Sequence, residues 1–299
     1  MNAPRKSRAP LVSVICVNFN GGNILLQCVR SVLTSTVPVQ VIVSDNGSTD
    51  GSIAALEEDL GNDERLVIIE NHENLGFARG NNVALSQAEG EYILFLNPDC
   101  RIRPDTIERM IDHSKRLPEA GLLGCLICNP DGSEQAGCRR RVPTPWRAAV
   151  RFLGLHHLFP HHAAFRDLNM HELPLPEAPV EVEAISGAFM FVPREALEDV
   201  GPLDEGYFLH CEDLDWCMRF RQKGWKVMFI PDVSIVHEKG GCSRRRKIRV
   251  EWHKHCGMVR FYRKFFRYQY PLPFMWLVIF AVWFRFGLMA CYLTIRERI

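Results

Sequence analysis

At 299 residues, with 47% hydrophobic and 24% charged residues, the chain has a globular composition and length enough to bury roughly three quarters of its unfolded surface. Wholesale disorder is excluded, and without a fixed-period repeat so is a solenoid or propeller. The net charge of +1 hides an asymmetry: residues 239–270 hold eleven Lys/Arg against the single acid Glu251, and residues 271–299 add three Arg and one Glu, which leaves the first 238 residues strongly acidic.

The start, MNAPRKSRAP, reads as a short basic arm over 1–10 rather than a secretory signal, and the eleven cysteines are too dilute for a disulfide scaffold, so reduced cytosolic thiols are expected. Residues 11–17 (LVSVICV) have buried-strand length. Leu25, Cys28, Val29, Val32 and Leu33 then recur at helical spacing, with Pro38 beyond the end. VQVIVSDN (39–46) predicts a second strand, and Ile53, Leu56 and Leu60 share one face of a helix over 49–60. LVIIE (66–70), a helical stretch around 77–89, YILFLN (92–97) and a helix around 104–117 continue the alternation. Such alternation implies βαβ units in a mostly parallel sheet, an α/β fold with its ligand beyond the carboxyl ends of the strands. From about 139 to 182 the pattern is lost in RRRVPTPWR, HHLFPHH and ELPLPEAP, read as an excursion over the site or a surface lobe; the four His of 156–162 lack metal-ligand spacing. Order resumes with AISGAFMFVP (184–193), a helix around 213–223 and a strand at 225–231.

The tail carries a different signal. The basic run precedes residues 271–295, PLPFMWLVIFAVWFRFGLMACYLTI, long enough to span a bilayer. Arg285 near its middle costs about 3 kcal/mol in a simple span. Two readings stand: a buried C-terminal helix, or a membrane-associating segment over 239–299 that lies on or crosses the bilayer. Basic residues before an apolar aromatic stretch suit the anionic cytoplasmic leaflet, so lipid rather than nucleic acid is the expected polyanion.

The strand ends are polar. Asp45 and Asn46 close the second strand before a Gly/Ser/Thr turn; a carboxylate there suits the imide N–H of a uracil or thymine ring, and an Asx-turn is the structural alternative. Asn97-Pro98-Asp99 repeats the arrangement, with Asp99 a candidate ligand for Mg²⁺ or Mn²⁺ alongside substrate phosphates. In Asn74-Leu75-Gly76-Phe77-Ala78-Arg79-Gly80, the glycines permit close backbone approach and Arg79 suits a diphosphate. Glu212, Asp213 and Asp215 fall at the start of one helix, where the helix dipole favours carboxylates. Asp215 suits an i,i+4 pair with Arg219, and one of the three is a candidate general base. His237 ends a β-branched run as a candidate metal ligand.

In order, VSVICVNFNGG, VIVSDNGSTDGS, NLGFARGNN, LFLNPDC, SGAFMFVPREAL, GPLDEGYFLHCEDLDWCMRFRQKGWKV and SIVH resemble the family 2 inverting glycosyltransferases, most of all their bacterial rhamnosyltransferase-like branch. The resemblance covers about residues 10–240. It implies a GT-A fold over 11–238, a Rossmann-like nucleotide half (about 11–120) joined to an acceptor half (about 121–238). It implies that Asn18, Asp45, Asn46, Gly76 and Arg79 meet the nucleotide, that Asp99 and His237 hold Mg²⁺ or Mn²⁺, and that Asp213 deprotonates the acceptor with Glu212 beside it. Ser186, Gly187, Ala188 and Trp216 would surround the donor and acceptor. Asn97 departs from the family's more usual Asp, one carboxylate fewer on the metal. The implied substrates are a nucleoside-diphosphate sugar, first deoxythymidine-diphosphate rhamnose, and a saccharide or lipid-linked saccharide. The expected location is the cytoplasmic membrane face, peripheral or tail-anchored. A sugar nucleotidyltransferase would need a basic phosphate loop after the first strand, which FNGGN lacks; a non-catalytic nucleotide-sugar or membrane-binding protein would not need Glu212 and Asp213.

Overall fold

The computed structural model describes residues 11–158, 162–165, 168–238 and 247–296. Its first half runs β1 (Val12–Asn18), α1 (Gly22–Leu33), β2 (Val39–Asp45), α2 (Ser52–Leu60), β3 (Leu66–Glu70), α3 (Phe77–Leu85) and β4 (Tyr92–Leu96), the elements expected from the hydrophobic pattern. Next come β5 (Cys100–Arg101), α4 (Thr106–Arg116) and β6 (Ala120–Cys128). The second half adds β7 (Arg139–Arg140), α5 (Pro145–Phe152), α6 (Leu155–Leu158), β8 (Val180–Glu181), β9 (Ala184–Ile185), β10 (Phe189–Pro193), α7 (Arg194–Val200), α8 (Glu212–Gln222) and β11 (Lys226–His237). Helices α9 (Lys247–Phe265) and α10 (Leu272–Arg296) end the described chain.

Among the described residues, nine strands form one sheet in the order β3-β2-β1-β4-β10-β6-β11-β5, with β8 also on β11. Strands β3, β2, β1 and β4 are mutually parallel, and β10 runs antiparallel between β4 and β6. Every residue of β1 is buried, as a strand covered on both faces requires. The chain leaves β1 toward β2 on one side and returns to β4 on the other. The carboxyl ends of these strands, with Asn18 level with Asp45, therefore open the crevice where α/β sheets bind ligands.

Two elements differ from the pattern-based expectation. Strand β6 is an almost continuous apolar run, which periodicity alone does not separate from a helix. Two of its glycines are needed for packing, since a Cβ on Gly124 would lie 2.8 Å from the Ile185 side chain and one on Gly121 2.7 Å from Trp225. Residues 225–231 and SIVH read as separate runs, yet β11 is continuous; a register shift between Ile230 and Ser234 absorbs Pro231, which donates no ladder hydrogen bond. The 139–182 excursion is tied down at buried Arg139, which donates to Glu134 Oε1 at 2.9 Å and to the Leu173 carbonyl at 2.8 Å.

The expected tail begins in 239–246, outside the described residues, but its next helix belongs to the body. Phe261 and Tyr262 of α9 are fully buried in the main core. Asp215 of α8, also fully buried, accepts from Arg219 Nε at 2.8 Å, as its i,i+4 spacing predicts, and from Tyr207 Oη at 3.2 Å, while α9 adds Lys264 Nζ at 2.6 Å. Asp215→Ala strands these partners without their buried carboxylate and is expected to destabilise the fold by about 3–5 kcal/mol. Urea unfolding checks this; a change under about 1 kcal/mol would assign the cluster to solvent-screened pairing.

Candidate active site

At the end of β1, Asn18 is fully buried. Its Nδ2 donates to Asp45 Oδ1 at 2.8 Å, Ser48 Oγ at 3.0 Å and Ser52 Oγ at 2.9 Å. Its Oδ1 has no hydrogen-bond partner and rests against Gly21, where a Cβ would come within 2.4 Å. Asp45 also accepts the Ser48 hydroxyl at Oδ1 and the Ser48 N–H at Oδ2, both part of the turn. A carboxylate has about four acceptor sites, so one on Oδ2 is not taken by these contacts.

Asn46 and Gly76 face protein partners. Asn46 Nδ2 donates to the Gly76 carbonyl at 3.0 Å, and its Oδ1 accepts from Asn71 Nδ2 at 3.0 Å. Gly76, at φ +81°, approaches the 206–211 segment rather than an open crevice: a Cβ there would lie 2.4 Å from the Phe208 carbonyl, and the neighbouring Phe77 N–H donates to that oxygen at 2.7 Å. Arg79 is exposed one turn into α3.

Asp99 and His237, 138 positions apart, meet at the β4 and β11 ends with Oδ1 and Nε2 3.0 Å apart. His237 Nδ1 lies 2.7 Å from Gln135 Oε1, an acceptor, so Nδ1 carries a proton and Nε2, facing Asp99, is the nitrogen left to ligate a metal. Gln135 is itself held, donating to Asn129 Oδ1 at 3.0 Å. An imidazole fixed through its remote nitrogen is the usual support for a metal ligand. The 3.0 Å separation also suits two adjacent ligands at bonds of roughly 2.1 Å. The Cys100 sulfur is within 4.8 Å of both ligand atoms, but its thiol donates to the Ala188 carbonyl. Nearby, Asn97 Oδ1 is buried without a hydrogen-bond partner. Asp99 and His237 thus fit a divalent cation, and the imidazole stands in for the carboxylate that Asn97 lacks.

The turn 186–188, between β9 and β10, links this pair to the carboxylates of α8. The Ala188 carbonyl accepts the Asn97 N–H at 3.0 Å, and the Gly187 N–H donates to Asp213 Oδ2 at 3.1 Å. Ser186 Oγ accepts the Ala188 N–H at 3.3 Å, tightening the turn. Arg140 Nη2 also donates to Asp213 Oδ2, and the Leu214 N–H donates to Oδ1 at 2.8 Å. Burial works against the Arg140 charge, but Asp213 outweighs it and holds the guanidinium pKa above its ordinary value. Trp216, expected at the donor or acceptor pocket, is instead a core side chain. It is fully buried, donates Nε1–H to the Gly201 carbonyl at 2.9 Å, and packs edge-on against Phe95.

Glu212 and Asp213 have separate environments. Asp213 lines a cavity of about 540 Å³ between α8, α9 and α10. Glu212 is 5% exposed, its Oε2 without a hydrogen-bond partner. Burial, then the neighbouring Asp213 charge, pushes its pKa from 4.5 up to about 8. The helix start is strained: His210 and Cys211 have φ of +68° and +71°, each costing on the order of 1–3 kcal/mol. Gln135 and Arg140 carry no motif signal. They lie in the segment where periodicity fails, and only the fold brings them to His237 and Asp213.

Residues 13–172 match Glycosyl transferase family 2. An N-acetylglucosaminyl-diphospho-decaprenol L-rhamnosyltransferase of Mycobacterium tuberculosis is 30% identical over 247 residues, covering 79% of this chain and 78% of that protein. Rhamnosyltransferase WbbL of Escherichia coli is 25% identical over 173 residues, 54% and 60% of the two chains. Among solved structures, the mannosyltransferase PcManGT of Pyrobaculum calidifontis, in complex with GDP-Man and Mn²⁺, superposes with a TM-score of 0.59 at 20% identity, over 93% of this chain and 70% of that one. GalNAc-T7 with UDP, GalNAc and Mn²⁺ gives a TM-score of 0.57 at 17% identity, over 78% and 44%. These likenesses support the GT-A fold expected from the motifs. The chain is a glycosyltransferase of family 2, of rhamnosyltransferase-like type.

Proposed function

We propose that the chain is an inverting rhamnosyltransferase that moves rhamnose from deoxythymidine-diphosphate rhamnose to a hydroxyl of a saccharide carried on a lipid diphosphate. One observation supports the catalytic reading: the 186–188 turn hydrogen-bonds both to Asn97, two residues before Asp99, and to Asp213. The donor and acceptor rest on the name and similarity of the mycobacterial relative.

Asp45 would read the pyrimidine imide N–H with the acceptor site left on Oδ2, held in place by Asn18 and Ser48. Asn46 and Gly76 shape the loop beside it, and Arg79, exposed in the first turn of α3, would meet the diphosphate. Asp99 and His237 would hold the divalent ion, and the imidazole nitrogen favours Mn²⁺ over Mg²⁺. Such an ion would supply charge neutralisation for the leaving diphosphate. Asp213 Oδ1, with only the Leu214 N–H on it, has room to accept the acceptor proton. As the acceptor oxygen bonds to the anomeric carbon, the bond to the donor phosphate breaks on the opposite face, and the nucleoside diphosphate leaves. One displacement inverts the centre without a nucleophilic side chain.

The tail supports action at a membrane. Helix α10 is long and apolar enough to cross a bilayer, though only 11% of its most apolar stretch is buried. Trp276, Phe280, Phe284, Leu288 and Tyr292 are exposed at four-residue spacing. Arg285 points back to α9, where its Nη1 donates to His255 Nε2 at 2.9 Å. A helix lying in the interface keeps this bond and buries the aromatic stripe in the headgroup region.

The test is transfer by the full chain to a lipid-diphosphate N-acetylglucosamine in anionic vesicles, across a panel of nucleotide sugars. Rhamnose transfer with inversion is expected. Preference for a uridine-diphosphate sugar would overturn the donor, and transfer only to phosphate-free saccharides the acceptor.

A further inference from the structure

We propose that the cavity beside Asp213 binds the diphosphate of the acceptor lipid, with Lys254 and Arg285 as its anion ligands. The proposal rests on the acceptor class given above and adds the site that would recognise it.

The cavity is roofed by the two C-terminal helices. Its lining includes Asp213 and Arg140 from the catalytic side, Lys254 and Met258 from α9, and Val282 and Arg285 from α10. About 540 Å³ falls within the range of small-molecule sites. The lining carries four cations, Arg140, Arg141, Lys254 and Arg285; Arg140 is paired with Asp213, and Lys254 and Arg285 share one acidic neighbour. Glu251 lies 3.5 Å from Lys254 Nζ and 3.7 Å from Arg285 Nη1. Two cations on one carboxylate leave positive charge for an anion.

Arg285 is also pre-set in direction. His255 Nδ1 is 2.6 Å from the Glu251 carbonyl oxygen, which only accepts, so the proton sits on Nδ1 and Nε2 must accept from Arg285. Burial lowers the His255 pKa, in keeping with a neutral ring. A buried, neutral histidine thus holds a guanidinium from the middle of an otherwise apolar helix at the cavity wall, with further N–H groups available. This explains a charge that a plain lipid anchor would not need.

The parts such an acceptor needs occur together: Asp213, Lys254 and Arg285 line one cavity, and the helix that supplies Arg285 also carries the exposed apolar residues Trp276, Phe280 and Phe284.

The test uses the full chain and farnesyl diphosphate, with farnesol as the phosphate-free control and phosphatidylglycerol vesicles as a generic anionic lipid. Farnesyl diphosphate is expected to bind and farnesol not. Lys254→Gln and Arg285→Gln should each weaken that binding roughly tenfold or more while nucleoside-diphosphate binding stays the same; Lys254 is half-exposed, so its variant guards against misfolding. Displacement of farnesyl diphosphate by nucleoside diphosphate would place the ligand in the donor site and overturn the proposal, as would equal binding by both variants. Loss of phosphatidylglycerol binding alone would reduce these cations to surface lipid contacts and overturn it too. A wild-type chain that binds farnesyl diphosphate through these residues but transfers no rhamnose would leave the cavity assigned and refute the function proposed above.

Discussion

Asp213→Asn is expected to lower turnover by at least about 100-fold while nucleotide binding stays nearly unchanged. The substitution keeps the side-chain shape, and the amide oxygen can still accept from Gly187 N–H or Arg140. It removes the ability to take a proton, together with the charge that faces the Arg140 guanidinium, so the pH dependence of the residual rate should also change. The residues proposed to meet the nucleotide, Asn18 and Asp45, end β1 and β2 rather than lying on α8. Glu212→Gln should be milder. With its pKa at about 8, Glu212 is mostly protonated at neutral pH, and glutamine resembles that form. The sign of its stability effect follows from the same shift. Between its ordinary 4.5 and about 8, the folded chain keeps a proton that the unfolded chain has lost, so this group makes stability fall as pH rises through that window. Glu212→Gln should therefore gain on the wild type from pH 5 to pH 8, read by thermal unfolding at each pH. Single-turnover transfer by both variants decides the assignment: a normal Asp213→Asn beside a dead Glu212→Gln would make Glu212 the base.

The nucleotide half was legible because each of its elements carries its own signal. Strands β1, β2 and β4 are short apolar runs that end in Asn18, Asp45 and Asn97, and in a parallel sheet all such ends share one edge. The link between Asp99 and His237 was legible only through the motif order, since nothing local brings residues 138 positions apart together. Gln135 and Arg140 were hidden for the same reason, lying on short extended segments whose partners are set by β6, β9 and β11. Trp216 misled because its neighbours in sequence are the candidate carboxylates, whereas its ring packs into the core against Phe95 and Phe220. On α8 Glu212, Leu214, Asp215 and Cys217 are buried as well, so adjacency in sequence does not show which side chains border the site. The C-terminal boundary misled differently. Composition marks 239–299 as one basic and apolar tail, but Phe261, Tyr262 and Lys264 complete the core and the Asp215 cluster, whereas α10 leaves an apolar face uncovered.

Asp99→Ala is expected to abolish most transfer, by about 10²–10³-fold, and excess chelator should do the same to the wild type. Asp99 is 6% exposed, at a strand end rather than in the strand interior, so the fold should survive the loss. His237→Ala should act in the same direction but be partly rescued by raised Mn²⁺, because Asp99 and the donor phosphates remain to bind it. Gln135 provides the sharper test. It is not among the proposed ligands, and it meets His237 at the ring, 2.7 Å from Nδ1, and at the backbone carbonyl, 3.4 Å away. Gln135→Leu removes both contacts at similar volume, and losing such a support typically weakens metal affinity by about 10–100-fold. The half-saturating Mn²⁺ concentration should rise by that factor while turnover at saturating Mn²⁺ stays close to the wild type. A purely structural role for Gln135 would lower stability and turnover together without moving the Mn²⁺ requirement. Full activity of the wild type in excess EDTA would remove the divalent ion from the reaction, and Asp99 and His237 would then be a buried ion pair at the sheet edge.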